Sequence, residues 1–444
     1  MFKTLRTALK MKDIRSRILF TLLMLVVIRI GSQLPMPGIN ASVIKDWLEA
    51  NMGSGDTLNF LSAFTGGSFE KMSIFALSIT PYITSSIIIQ LLTIAIPKLE
   101  EMQRDGEDGK KKMAAITRYV TVALSLIESA AMAIGFGAQG LLQPYNIFTI
   151  LGTIFVLTAG SSILMWIGER ITDKGIGNGI SIVLIINIIS RIPEDISSLY
   201  TMFIQTNIEK NNIAMAVVSG LVIIAIIILV IVLVILLNDA IRKIPVQYAK
   251  KLQGRKMVGG QSTNIPLKVN TAGVIPIIFA SSLMQLPIMI SSFCGYQGNG
   301  VWSHILKGLN SGYWFKPGSD FVYSIGLLVY IVLVIFFAYF YTSITFNPLE
   351  ISENMKKQGG FIPGIRPGKP TSEYLQKVLN YIIFIGAVGL VIVAIIPIIC
   401  NGLFNADVSF GGTSLIIIVS VILETMKQVE SQMLVRNYKG FLND

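Results

Sequence analysis

Apolar residues in this chain come in long blocks with few charges, not in the short periodic stripes of a soluble helix or strand. The block from Val217 to Leu237 holds no charged residue at all. A bilayer's hydrocarbon core of about 30 Å needs roughly 20 apolar residues in a helix, and that block supplies them. Ten blocks follow one another, at about 18–34, 73–96, 114–136, 148–168, 180–192, 215–238, 271–291, 321–345, 379–399 and 412–426. Those at 180–192 and 412–426 are short, which a helix tolerates where it lines a cavity instead of facing lipid. The pattern predicts an all-α membrane protein of ten transmembrane helices, divided five and five. Pro81 in the second block and Pro276 in the seventh correspond if the halves are related by inversion, which directs attention to a passage between them. The first block contains Arg29 and runs into Pro35-Met36-Pro37 without a small-residue cleavage pattern, so it reads as a span and not as a removable signal peptide.

Basic residues set the orientation. With the N-terminus inside, 28 of the 36 Lys and Arg fall in cytoplasmic segments. Six lie outside (Lys45, Lys71, Arg191, Lys210, Lys307 and Lys316), and Arg29 and Arg118 sit in or at the edge of spans. Both termini are thus expected in the cytoplasm, and the net charge of +11 is concentrated on one face. The expected organisation is a cytoplasmic segment at 1–17, a first half at 18–192, an external connection at 193–214, a second half at 215–426 and a cytoplasmic tail at 427–444. Two cytoplasmic loops, 239–270 and 347–377, are longer than connections between packed helices usually are. Loops this long and basic suit docking of an acidic or nucleic-acid-rich partner. Strand-like stretches at Ile244 to Tyr248 and Ile265 to Val269 suggest that the first projects as a hairpin.

Composition narrows the chemistry. At 52% hydrophobic and 14% charged, the chain lacks the polar surface of a soluble protein of its length. Cys294 and Cys400 are the only cysteines and read as small apolar fillers in preference to a disulfide. The single histidine, His304, falls in an external loop, so metal centres and histidine catalysis are not expected. Gly175, Gly177 and Gly179 form a GxGxG, but an apolar helix precedes it where a nucleotide fold needs a strand; it reads as a tight cytoplasmic turn. Neither HExxH nor GxSxG occurs in the chain.

Several intramembrane positions stand out. Leu58, Leu61 and Phe64 make a short apolar helical turn ahead of Gly66-Gly67, which suits either an external surface helix or a movable segment on a hinge. Ile79 and Ile83 share one helix face, as do Ile180 and Leu184, and by spacing alone such pairs are packing residues. Glu128 lies within the third block, where a carboxylate is costly unless it meets water or a partner. Gln90 and Asn270 are further polar groups at or near membrane depth.

The glycine segment continuing through Ile180-Ser181 resembles a signature of the SecY family. So does Pro81-Tyr82-Ile83-Thr84-Ser85-Ser86-Ile87-Ile88-Ile89-Gln90-Leu91-Leu92. Further similar runs are Pro266-Leu267-Lys268-Val269-Asn270 leading into Gly273-Val274-Ile275-Pro276, Phe361-Ile362-Pro363-Gly364-Ile365-Arg366-Pro367-Gly368, and Phe410-Gly411-Gly412-Thr413-Ser414-Leu415. They occur in family order over nearly the whole chain. The resemblance implies two pseudo-symmetric inverted halves around a central hourglass pore that conducts unfolded proteins. Its waist would be an aliphatic ring of Ile79, Ile83, Ile180, Leu184, Ile278 and Ile417. Residues 58–67 would be a plug, with Leu58, Leu61 and Phe64 on it and Gly66 and Gly67 as hinge. Gln90, Glu128 and Asn270 would lie near a lateral gate opening to membrane lipids. Lys250, Arg255, Lys256 and Arg366 would dock the SecA motor or the ribosome, and SecE and SecG would be companion subunits. Secretory and membrane-protein precursors would be the cargo, the bacterial inner membrane the location, and no cofactor is implied.

Three competing readings remain at this stage. A secondary transporter shares inverted halves but needs convergent polar groups at midplane, where an aliphatic ring is expected here. An intramembrane enzyme would need a nucleophile–base pair or metal ligands within the spans. Within the channel reading, an accessory paralogue with specialised substrates competes with the general form, which the long basic loops favour.

Overall fold

The computed structural model describes residues 7, 9–37, 65–138, 140, 142, 144–205, 208, 213–248, 251–253, 256–258, 262–293, 300–310, 313–314, 321–404 and 413–440. Each of the ten apolar blocks coincides with a helix. In chain order the helices are α1 (Lys12–Gly31), α2 (Thr80–Ala95), α3 (Pro97–Arg104), α4 (Gly106–Ala138), α5 (Ile147–Lys174), α6 (Gly179–Leu199) and α7 (Ile213–Asp239). They continue as α8 (Ile275–Phe293), α9 (Val301–Leu309), α10 (Ile325–Thr345), α11 (Pro348–Lys357), α12 (Lys369–Phe404) and α13 (Thr413–Gly440). Helices α4, α5, α7, α10 and α12 each hold a stretch long and apolar enough to cross a bilayer unaided. Short α3, α9 and α11 connect the longer helices.

Helix ends depart instructively from the apolar blocks. The second block begins at residue 73, yet α2 starts at Thr80, because residues 73–79 run as successive turns. Pro81 therefore opens a helix and does not interrupt one: in the first turn its missing N–H costs nothing. Pro276 holds the same place at the start of α8. At its other end α2 turns by 108° into amphipathic α3. The fifth block ends at residue 192, but α6 continues past Pro193 to Leu199 and into a π-helical turn at Tyr200–Gln205. Helix α13 likewise outruns its block, to Gly440. Hydropathy thus locates the lipid-facing part of these helices, while backbone hydrogen bonding carries them beyond it.

Packing divides the chain as the five-and-five pattern implies. Helices α4, α5, α2, α1 and α6 contact one another in the first half, and α8, α10, α12, α7 and α13 in the second. Polar contacts bind the first half where the apolar solvent gives helices no reason to associate. Ser85 Oγ on α2 donates to the Thr117 carbonyl of α4 at 2.9 Å and lies 2.8 Å from Thr121 Oγ1. Ser129 and Thr158 join α4 to α5 at 3.0 Å. The halves meet along two seams, α2 and α4 against α8 on one side and α6 against α13 on the other.

The two basic loops prove to be one platform. Strands β1 (Ile241–Tyr248) and β4 (Ser262–Lys268) pair antiparallel, from Ile241 opposite Lys268 to Gln247 opposite Ser262. The projecting hairpin is thereby present, and short β2 (Lys251–Gln253) and β3 (Lys256–Val258) pair within it. Strand β5 (Gly360–Phe361), from the other loop, pairs with the end of β1 to complete a three-stranded sheet. Ile244, Val246 and Leu267 bury one side of that sheet against Met355, Ile362 and Leu375.

Candidate functional site

The main apolar core crosses both seams. It draws Ile83 and Ile87 from α2, Leu184 and Ile188 from α6, Ile278 from α8 and Ile417 from α13, with Ile79 just ahead of α2. Ile79 and Ile417 are fully enclosed, and Ile83, Leu184 and Ile278 nearly so. No formal charge enters this cluster. Both halves therefore contribute aliphatic side chains to one continuous apolar core.

A buried polar contact ties α6 to the chain ahead of α2: the Asn187 amide donates to Ser78 Oγ at 3.0 Å. Leu184 and Ile188 lie one turn apart on one face of α6. Ile180 is a further turn towards the N-terminal end of α6 and only partly buried. Its Cδ1 approaches Gly168 of α5 so closely that a Cβ there would meet it at 2.7 Å. Of the six residues expected at the waist, Ile79, Ile83, Leu184, Ile278 and Ile417 belong to this core, and Ile180 packs against it; Ile188 is a further buried member from α6.

A strained segment leads into this core ahead of α2. Met72 and Ser78 both have positive φ, 41° and 53°, a conformation that L side chains seldom adopt. Their surroundings hold them: Met36 N donates to the Met72 carbonyl at 2.9 Å, and Asn187 bonds Ser78. Of the residues expected on a plug, Leu58, Leu61 and Phe64 lie outside the described residues. The base of that segment is tied down at three points. Arg191 Nη1 of α6 meets Glu70 Oε1 at 2.6 Å, with Arg191 only 12% exposed. Arg29 Nη1 of α1 reaches the Gly66 carbonyl at 3.5 Å, and Ser190 Oγ lies 3.4 Å from the same oxygen. Gly66 has φ +65°, and a Cβ there would strike the Asn187 backbone at 2.8 Å, so position 66 demands glycine twice over. Gly67 (φ +76°) has open space around it.

The expected gate residues sit at different depths. Helices α2 and α4 run antiparallel with Ser85 level with Thr117 and Thr121, which sends Gln90 towards the C-terminal end of α2 and Glu128 towards the opposite end of the pair. Gln90 Oε1 and Glu128 Oε2 are both buried without a hydrogen-bond partner among the described residues. Asn270 binds inside the second half: its amide donates to Asn238 Oδ1 at 2.9 Å, and Asn238 in turn donates to Ser420 Oγ at 2.8 Å. The three do not form one cluster. On the platform, Arg366 is exposed at a turn pinned by Thr371 Oγ1 on the Arg366 carbonyl (2.8 Å) and Ser352 Oγ on the Gly368 carbonyl (2.7 Å). Lys256 lies in β3, while Lys250, Arg255 and Cys294 lie outside the described residues.

The glycine segment is a structural corner. Gly177 (φ +84°) turns the chain between α5 and α6, and a Cβ there would meet Thr425 of α13 at 3.0 Å. Ile176 N donates to Thr21 Oγ1 of α1 at 3.2 Å, and Ile176 packs with Ile14 and Val429. This corner therefore closes the α6–α13 seam at the N-terminal end of α6.

Two membrane-spanning halves packed face to face across an aliphatic centre define a channel-type membrane protein. The chain belongs to the SecY family, whose model matches residues 73–426. A protein translocase subunit SecY of Halalkalibacterium halodurans is 43% identical, covering 100% of both chains, and that of Bacillus subtilis is 42% identical with the same coverage. A solved protein conducting channel shares the fold with a TM-score of 0.64 at 17% identity, covering 94% of this chain and 92% of its own. Sec61 in the canine ribosome-channel complex of the endoplasmic reticulum gives a TM-score of 0.60 at 16% identity, with the same coverage.

Proposed function

We propose that this chain is the pore-forming subunit of a Sec protein-conducting channel, passing unfolded secretory proteins across the membrane and releasing apolar segments sideways into lipid. The observation that carries the reading is the aliphatic core built jointly by both halves at Ile79, Ile83, Leu184, Ile188, Ile278 and Ile417. A hydrophobic constriction dewets and so blocks ions, yet flexible side chains yield around a polypeptide. Sealing has a large return, since each charge leaking across 100 mV dissipates about 2.3 kcal/mol.

The seam of α2 and α4 against α8 is the lateral gate in this reading. Through it a passing segment samples lipid, where Leu-like residues gain roughly 0.3–0.6 kcal/mol each and a central Lys or Arg costs about 2.5–3.5 kcal/mol. Residues 58–67 act as the plug, hinged at Gly66 and Gly67. The two basic loops whose sequences hold Lys250, Arg255, Lys256 and Arg366 receive the SecA motor or the ribosome, and SecE and SecG complete the complex. The channel sits in the inner membrane with both termini cytoplasmic, and the energy for transport comes from the docked partner.

The test is a site-specific photocrosslink from position 83 to a secretory precursor stalled in transit. A crosslink that requires a functional signal sequence is the expected result. Active export with no crosslink at position 83 or 188 would remove the pore assignment and favour a transporter with inverted repeats.

A further inference from the structure

The external connection between α8 and α10 contains α9, whose sequence Val-Trp-Ser-His-Ile-Leu-Lys-Gly-Leu is amphipathic. At 100° per residue, Val301, Trp302 and Ile305 occupy one arc, and Ser303 and Lys307 lie opposite. The protein holds α9 through its second half, from His304 to Leu309. His304 Nδ1 and Tyr323 Oη are 2.8 Å apart, and their rings stack at 6.2 Å between centroids. Trp314 Nε1 donates to the Gly308 carbonyl at 2.8 Å, and Gly326 approaches that carbonyl so closely that it admits no side chain. Leu309 packs against the main core. So held, α9 leaves Val301, Trp302 and Ile305 uncovered, with exposures of 78%, 45% and 46%.

An apolar face on water needs a partner. The face adjoins the start of α10, where Ile325, Leu328, Val329 and Val332 are also exposed and form part of the surface the spanning helix presents to lipid. It lies at the end of the molecule opposite the β1–β4–β5 platform, because α8 leaves that platform and α10 returns to it. Trp is suited to the boundary between acyl chains and headgroups, and Lys307 on the opposite side points its charge to water or to phosphate.

We infer that α9 is a membrane-surface helix, its Val301–Trp302–Ile305 face seated in the external leaflet at the headgroup–acyl boundary. The inference rests on the reading of α10 as a membrane span. Its consequence is mechanical: α8 belongs to the gate seam, and α9 couples α8 and α10 to the external leaflet, so the lipids there bear on gate movement.

The test uses the full channel complex in nanodiscs, with Cys294 and Cys400 replaced by Ala and single spin labels introduced by Ile305→Cys, Ser303→Cys and Leu328→Cys. Collision with oxygen, which partitions into lipid, is compared with collision with a water-soluble nickel chelate. The label at 305 is expected to favour oxygen several-fold over the label at 303 and to approach the label at 328. Preference for nickel at 305 while 328 favours oxygen overturns the inference and leaves the span intact. Shielding of 305 from both reagents also overturns it, and assigns the face to a protein partner. Preference for nickel at 328 instead refutes the spanning reading itself.

Discussion

Glu128 sits on α4 between two bonds that anchor that helix, the Thr121 contact to α2 and the Ser129 contact to α5. One of its oxygens is buried without a partner, and such a group costs about 1–3 kcal/mol, more when charged. If α4 lines the gate, opening hydrates that oxygen, so the carboxyl favours the open state. Glu128→Gln is expected to raise the threshold, lowering export of precursors with weak signal sequences while strong ones pass normally. Unchanged export of the weak set, measured in intact cells, would count against a role in the gate. At the waist, Ile188→Ser and Leu184→Ser are expected to let ions through resting channels in planar bilayers, whereas Ile180→Ser leaves them tight. Equal leakage from all three would show that Ile180 seals as Leu184 and Ile188 do. Both effects were within reach of the sequence only in part. A carboxylate in an apolar block is conspicuous, but the deep burial of Leu184 and Ile188 beside a partly buried Ile180 shows only in the folded chain.

The segment at 65–79 holds Met72 and Ser78, the two non-glycine residues of positive φ among the described residues, and is tied to other elements through Arg29, Ser190 and Arg191. A charge-assisted bond of this kind contributes roughly 1.5–3 kcal/mol. Arg191→Glu is expected to loosen the base of the plug and raise resting ion leakage, and adding Glu70→Arg should restore much of the seal. Failure of the double substitution to recover would mean that Arg191 acts through other neighbours. The platform is an element assembled from two distant loops, and the turn bearing Arg366 is pinned to α11 and to the start of α12. Arg366→Glu should sharply reduce motor-driven translocation into vesicles while leaving resting conductance unchanged; altered conductance would indicate damage to the pore. Helices and the β1–β4 hairpin were legible from apolar runs and strand-like alternation. The pairing of β5 with β1 was not, because a two-residue strand has no periodicity to read.

Across the whole molecule, the two seams differ in construction. The α6–α13 seam is closed by the glycine corner and by Ile14, Ile176 and Val429, where Gly177 leaves no room for a side chain beside Thr425. The halves are therefore expected to hinge there and part at α2 and α4 against α8. A disulfide between Ile176→Cys and Val429→Cys, in a background lacking the native cysteines, should leave precursor export near its reduced level. Export that stops on oxidation and resumes on reduction would place the opening movement at the corner instead.

Sequence by itself determined that this chain crosses a membrane, that its basic residues gather in a few segments, and roughly where its helices lie, because a bilayer imposes length, apolarity and charge asymmetry on each segment separately. The recurring motifs added the family. Tertiary structure alone decided where α2 begins, how deeply each residue of α6 is buried, how Gly66 and Glu70 are fastened, and that two loops share one sheet. Those features depend on contacts between residues far apart in the chain, and no local pattern encodes the partner that satisfies them.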